Sequence, residues 1–225
     1  MLGSPGESPH QLAIFDCDGV LVDSEAISCG VLAMMLSAQG LPTTLAQARR
    51  DYQGLLLSEV LTTAQERLGR ALPAGWLDEY EREREAVFRR ELRAVAGAAQ
   101  AVASVRAAGI AVCVASQGKL AKTQLSLELT GLRELFADRA LFSAESVAHG
   151  KPHPDLFLYA ARTMGVPPGR CAVVEDTPSG VTAAVAADMR AIGYAADSDA
   201  RALADAGAEL IDSLAELPGR LLTAR

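Results

Sequence analysis

The sequence predicts an α/β fold: a parallel sheet with helices on both faces, interrupted by one all-helical insert. Three observations carry this. Short apolar runs of strand type recur at residues 12–16, 111–116 and 171–175. Ala-rich helical patterns follow them, near 97–109, 118–130, 153–165 and 178–188. The interval 24–92 has helical stretches near 24–39, 56–69 and 76–93 and no convincing strand.

The first strand, Leu12-Ala13-Ile14-Phe15-Asp16, is an uninterrupted apolar run ending in a carboxylate. Past it comes Cys17-Asp18-Gly19, where Gly19 lets the backbone turn tightly. In the insert, the stretch from Trp76 is densely charged. Trp76, Tyr80, Val87 and Phe88 supply its apolar stripe, and the charges read as a solvated face with helical ion pairs. The second strand ends on Ser116 and the third on Glu175, followed by Asp176. Residues 140–143 and 190–194 read as weaker strands. Sheets of this kind bind ligands beyond the carboxyl ends of their strands. Asp16, Ser116, Glu175 and Asp176 therefore converge on one rim.

Bulk properties narrow the function. A chain of 225 residues suits one or two domains. The apolar share of 50% supports a real core, and with aromatics at 4% that core must be filled by Ala, Val and Leu. A net charge of −7 argues against a nucleic-acid groove and against binding to an anionic membrane. No apolar stretch approaches the ~20 residues of a membrane span. The cysteines at 17, 29, 113 and 171 form no CxxC pair and read as small buried hydrophobes in a reducing compartment. The N-terminal MLGSPGESPH resembles no signal peptide and reads as a short disordered lead. A cytoplasmic protein, monomeric or weakly dimeric, is expected. Of the 21 basic residues only three are lysine, at 119, 122 and 151. A lysine kept against that bias is a candidate for a specific role, because an ammonium is a compact point charge and a guanidinium a wide fork.

Four segments can carry chemistry: Phe15-Asp16-Cys17-Asp18-Gly19-Val20, Val114-Ala115-Ser116-Gln117-Gly118, Gly150-Lys151-Pro152-His153-Pro154-Asp155, and Val173-Val174-Glu175-Asp176-Thr177-Pro178. Two carboxylates at a strand end are costly to bury unless they meet a cation or do chemistry. Taken alone, Asp16 and Asp18 fit a loop-capping pair equally well. Ser116 alone fits a helix N-cap, Lys151 a solvated loop charge, and Glu175 and Asp176 acidic residues near a helix start. Lys119 and Lys122 read as a solvated helix face, and His10, His149 and His153 as surface residues. Ser179 and Gly180 read as helix-start residues.

In this order and spacing the four segments resemble the haloacid dehalogenase-like hydrolase superfamily, and most of all its branch of beta-phosphoglucomutase and small sugar-phosphate phosphatases. The resemblance covers about residues 12–211. It implies a Rossmann-like three-layer α/β/α core from 1–23 and 93–225, with 24–92 as a helical cap domain. It implies Asp16 as the nucleophile that forms an aspartyl-phosphate, Asp18 as acid/base, and Ser116 and Lys151 as partners of the phosphoryl group. Mg²⁺ would lie on Asp16, the main-chain carbonyl of Asp18 and Asp176, with Glu175 supporting it directly or through water. Backbone N–H groups around Gln117 would add to the phosphate site. Cap-loop residues including Gln53 and Gly54 would face a small phosphorylated metabolite, with Arg49, Arg50, Arg82 and Arg84 as further anion contacts.

The chain departs from the mutase pattern at three polar positions, where it has Ser28, Gln53 and Leu57. Hydrolysis is therefore expected over phosphoryl shuttling. The alternatives are a phosphosugar mutase and, from another class, a non-catalytic phosphate-binding protein.

Overall fold

The computed structural model describes residues 9–222; residues 1–8 of the expected lead MLGSPGESPH lie outside them. In chain order the elements are β1 (Leu12–Phe15), α1 (Glu25–Ala38), α2 (Leu45–Tyr52), α3 (Leu57–Leu68), α4 (Trp76–Glu91), α5 (Ala98–Ala107), β2 (Ala111–Ser116), α6 (Leu120–Leu129), β3 (Leu141–Ser143), α7 (Asp155–Met164), β4 (Cys171–Glu175), α8 (Pro178–Ala186), β5 (Arg190–Tyr194), α9 (Ala200–Asp205), β6 (Glu209–Ile211) and α10 (Leu217–Leu222). Every strand and helix expected from the sequence is present, with ends shifted by a few residues. Four short elements are not expected from it: α2, α9, β6 and α10. The chain divides into two compact units, one of residues 1–22 and 94–225, the other of residues 23–93.

In the larger unit all strand pairings are parallel, and the strand order is β3-β2-β1-β4-β5-β6. The chain starts in the middle, runs out to one edge through β2 and β3, then returns to the far side of β1 to place β4. This reversal between β1 and β4 is a topological switch point, where two crossovers part and leave a crevice at the carboxyl ends. Each residue of β1 and β4 is buried, as strands covered on both faces require. Asp16 extends the β1 ladder by one bond, its N–H donating to Val174 O at 2.9 Å.

His10 corrects one expectation. It is buried, and its Nδ1 lies 3.0 Å from the carbonyl of Leu221 in α10. A carbonyl only accepts, so Nδ1 carries the proton. Burial holds His10 below its ordinary value of 6.5, helped by Arg190 and Arg170 and opposed by the Leu221 bond. A lowered histidine pKa adds stability that is present above 6.5 and lost as pH falls through the folded-state value. His10→Asn keeps an N–H donor but has no titrating ring. It is therefore expected to show a smaller drop in melting temperature between pH 7.5 and pH 5.5 than the parent. His10→Ala is expected to lose about 1 kcal/mol at pH 7.5. Parallel melting curves check both.

The smaller unit is all-helical around an apolar cluster that includes Leu32, Leu36, Tyr52, Val60, Trp76 and Tyr80. Trp76 and Tyr80 stack with centroids 6.3 Å apart, in line with the stripe expected for α4. Thr44 starts α2 with a capping box to Gln47. Two of the proposed anion contacts are engaged within this unit. Arg50 pairs with Asp51 at 2.7 Å, and Arg84 lies over the rings of Tyr80 and Phe88 at 5.1 and 5.8 Å. Gln53 ends α2, and Gly54 follows with φ +79°.

Candidate active site

Beyond the ends of β1, β2 and β4, one set of side chains comes together. Asp16, Glu175 and Asp176 are buried and each offers a carboxylate oxygen within 4.8 Å of the others. Two glycines make room for this crowding. Gly19 has φ +79°, and a Cβ there would overlap Asp176 Oδ2. A Cβ on Gly180 would overlap Glu175 Oε1. Any side chain at either position would displace a carboxylate. Gly180, expected from the sequence only at a helix start, is thus also the floor under Glu175.

Lys151 is the counter-charge. Its Nζ donates to Asp16 Oδ1 at 2.5 Å, Glu175 Oε1 at 2.6 Å and the Ala115 carbonyl at 3.1 Å. Three donors thus meet three acceptors. The ammonium also lies 5.1 Å from the centre of the Phe157 ring. Burial alone would lower the Lys151 pKa, but the Asp16 and Glu175 carboxylates win and hold it above its ordinary value, so it stays charged. Burial pushes Asp16 above a carboxylate's usual range. Its pKa rises from 3.8 to about 7, opposed by Lys151 and reinforced by Glu175 and Asp18. The Lys151 ammonium does not outweigh burial together with the charges of Glu175 and Asp18.

Glu175 is firmly held from its other side. Its Oε2 accepts from the N–H of Asp176 and of Thr177, both at 3.0 Å, and from the Thr177 hydroxyl at 2.9 Å. Thr177 in turn caps α8 by accepting from Gly180 N–H at 3.1 Å. Helix start and acidic pair are therefore one hydrogen-bonded piece.

Ser116 ends β2 almost fully buried. It is not the N-cap of the next helix, which is Lys119. Instead its Oγ accepts from Gly118 N–H at 3.1 Å and lies 3.5 Å from Asp18 Oδ2. Gln117 reaches sideways: its Oε1 accepts from Lys151 N–H at 2.9 Å, and a Cβ on Gly150 would collide with its carboxamide at 2.6 Å. The Gln117 side chain thus fixes the loop that carries Lys151.

Asp16, Asp18, Ser116, Gln117, Lys151, Glu175 and Asp176 share this rim, while Gln53 and Gly54 belong to the helical unit. The structure corrects one further expectation here. Lys122, expected on a solvated helix face, turns its ammonium onto Asp18 Oδ1, with only 13% of its side chain exposed. The sequence signal for it is the rarity of lysine. Lys151, the other lysine at the site, is held by the nucleophile candidate.

The donor set suits a hard divalent cation. All three clustered ligand groups are carboxylates, with no nitrogen or sulfur among them. Such a cation would offset the negative charge of Glu175 and Asp18, which adds to burial in raising Asp16. An ionised Asp16 at a strand end, with a second carboxyl group two residues on and a cationic partner beneath, is an arrangement that nucleophilic attack and proton transfer could use.

The profile of haloacid dehalogenase-like hydrolases matches residues 10–188. The chain is 28% identical to the 6-phosphogluconate phosphatase of Escherichia coli K12, over 92% of this chain and 93% of that protein. It is 31% identical to hexitol phosphatase B of the same strain, over 82% and 84% of the two chains. Among solved structures, a haloacid dehalogenase family hydrolase from Deinococcus radiodurans R1 with bound phosphate and sodium is 32% identical. It superposes with a TM-score of 0.78 over 97% of this chain and 100% of that one. The chain belongs to the haloacid dehalogenase-like hydrolase family, and it is an enzyme.

Proposed function

We propose that this chain is a Mg²⁺-dependent phosphatase that hydrolyses a small phosphomonoester, a sugar phosphate or related metabolite, through an aspartyl-phosphate on Asp16. The observation that carries the reading is the Lys151 ammonium bridging Asp16 and Glu175 within a three-carboxylate cluster at the switch point of the sheet. The names of the phosphatase relatives support the substrate class. In this reading, residues 1–23 and 93–225 are the catalytic core. Residues 24–92 are the cap, and Gln53 and Gly54 help select the substrate. All four cysteines are buried thiols, in keeping with a reducing, cytoplasmic setting.

Asp16, Asp176 and the Asp18 carbonyl, with Glu175 directly or through water, would hold Mg²⁺, which would neutralise charge on the transferring phosphoryl group. In the first half-reaction Asp16 forms a bond to phosphorus as the ester P–O bond breaks, and the leaving oxygen takes the proton of Asp18. In the second, a water attacks the aspartyl-phosphate and gives a proton back to Asp18. The Asp16–phosphorus bond breaks and inorganic phosphate departs. Ser116 and the N–H groups at Gln117 hold the phosphoryl oxygens, and Lys151 balances charge on Asp16 and phosphate alike.

Phosphate release from a panel of sugar and polyol phosphates tests this. Turnover with Mg²⁺ and none in excess EDTA is expected, and absence of any turnover would favour the phosphate-binding alternative. Asp18→Asn is expected to lower kcat far more than it raises KM, and to do so least for p-nitrophenyl phosphate, whose leaving group needs little protonation. Equal losses on p-nitrophenyl and alkyl phosphates would contradict the acid role. Hydrolysis is favoured over a mutase because Ser28, Gln53 and Leu57 offer no charge to grip a second phosphate. With beta-glucose 1-phosphate and a catalytic amount of the 1,6-bisphosphate, free phosphate is expected to outpace glucose 6-phosphate.

A further inference from the structure

We propose that Lys122 is a positioning residue for Asp18: its ammonium fixes the carboxyl group in the orientation from which, in its protonated form, it delivers that proton to the leaving oxygen. The inference rests on the phosphatase reading above and adds a residue to it.

A lysine in the first turn of α6 would ordinarily extend into solvent, where an exposed ion pair contributes little. Lys122 instead folds back over Gly118. Its Cδ lies 3.4 Å, and its Nζ 3.9 Å, from where a Cβ on Gly118 would stand, and Ser116 Oγ is 3.4 Å from the same point. Lys122 therefore runs alongside the phosphoryl-binding hydroxyl. The base from which it extends is pinned. Ser143 Oγ donates to the Gly118 carbonyl at 2.7 Å, and Leu120 N–H donates to Glu145 Oε2 at 2.8 Å. Both contacts tie the start of α6 to the end of β3.

Asp18 is thereby held at both oxygens: Oδ1 against Lys122, and Oδ2 facing Ser116 Oγ at 3.5 Å. Its side chain is 19% exposed against 9% for Asp16, so of the two it is the one open toward an incoming ester. The site thus has an ammonium for each of these two aspartates, Lys151 beside Asp16 and Lys122 beside Asp18. Proton transfer needs heavy atoms within ~2.6–3.2 Å, and a misplacement of ~1 Å costs on the order of 10²-fold. A carboxylate on a short, partly exposed loop needs such an anchor. A compact ammonium can supply it without covering the second oxygen.

The test is a leaving-group series with Lys122→Met, using p-nitrophenyl phosphate, phenyl phosphate and whichever alkyl phosphate in the panel is turned over fastest. Expected is a kcat loss of about 10²-fold on the alkyl ester, with KM nearly unchanged and little loss on p-nitrophenyl phosphate. In an Asp18→Asn background the same substitution should cost no more than about twofold further, because both changes act through one group. Lys122→Gln, which keeps a donor and the polar stem, is the second variant should Lys122→Met fail to fold, and it should retain part of the alkyl-ester rate. Equal losses across the series, a change confined to KM, or full additivity with Asp18→Asn would overturn the inference. If Asp18→Asn itself shows no leaving-group dependence, it is the acid role of Asp18 that falls. If the parent shows no Asp16-dependent turnover, the phosphatase reading falls.

Discussion

Replacing Asp16 by asparagine is expected to abolish turnover, by on the order of 10⁴-fold or more, in a protein that melts no lower than the parent without Mg²⁺. The first half follows from chemistry. Phosphate monoesters resist hydrolysis so strongly that enhancements reach ~10²¹, and a neutral carboxamide cannot attack in place of an ionised carboxylate. The second half follows from the site. Asparagine keeps an oxygen for Lys151 and removes one of the crowded acidic groups. Burial raises the Asp16 pKa from 3.8 to about 7. The folded form therefore holds this proton more tightly than the unfolded chain does. That contribution to stability is complete below about 3.8 and is lost as pH rises through about 7. At pH 8 in EDTA the parent carries an ionised Asp16 at a cost that the variant escapes, and the variant's advantage should shrink toward pH 5. Mg²⁺ should reverse the order by stabilising the parent more. Retained turnover in Asp16→Asn would remove it as nucleophile. A variant that melts lower at pH 8 in EDTA would contradict the electrostatic account.

The parts of this fold legible in the sequence are those whose surroundings dictate composition. β1 and β4 are buried on both faces, so they read as apolar runs ended by the carboxylates that matter. The elements missed are short and lie where less is demanded of them. β6 has three residues at a sheet edge. α9 and α10 have six each, too few for a helical period to show. α2 buries only Ala48 and Tyr52, although Thr44 and Gln47 spell its capping box. At the site, spacing reveals which residues reach the rim but not where side chains turn. Gln117 bends to the Lys151 loop, where Gly150 leaves room for it, and Lys122 turns to Asp18. His10 escapes sequence reasoning for a related reason: its partner, Leu221, is 211 positions away.

Lys151→Met is expected to be the most damaging single change, because it removes activity and stability together. The ammonium is 5% exposed, and its partners Asp16 and Glu175 are 9% and 1% exposed, so solvent cannot take over its role. Breaking a buried pair from one side costs roughly 3–5 kcal/mol, because the remaining charge is left uncompensated. Here two carboxylates and the Ala115 carbonyl lose their donor at once. For a chain of this size that corresponds to a fall of roughly 6–20 °C in melting temperature. Methionine matches the stem in length and can still pack against Phe157, which confines the change to the charge. Lys151→Arg should not restore activity. A guanidinium presents a wide planar fork, whereas the site converges three acceptors on one nitrogen. Mg²⁺ should recover part of the lost stability in Lys151→Met by taking over the carboxylates, and little of the turnover, since the phosphoryl group would still lack its ammonium. Thermal melts and phosphate release, each with and without Mg²⁺, separate the two effects. A Lys151→Met protein that melts with the parent would show that Asp16 and Glu175 do not depend on this charge. An active Lys151→Arg would show that the three-acceptor geometry is dispensable.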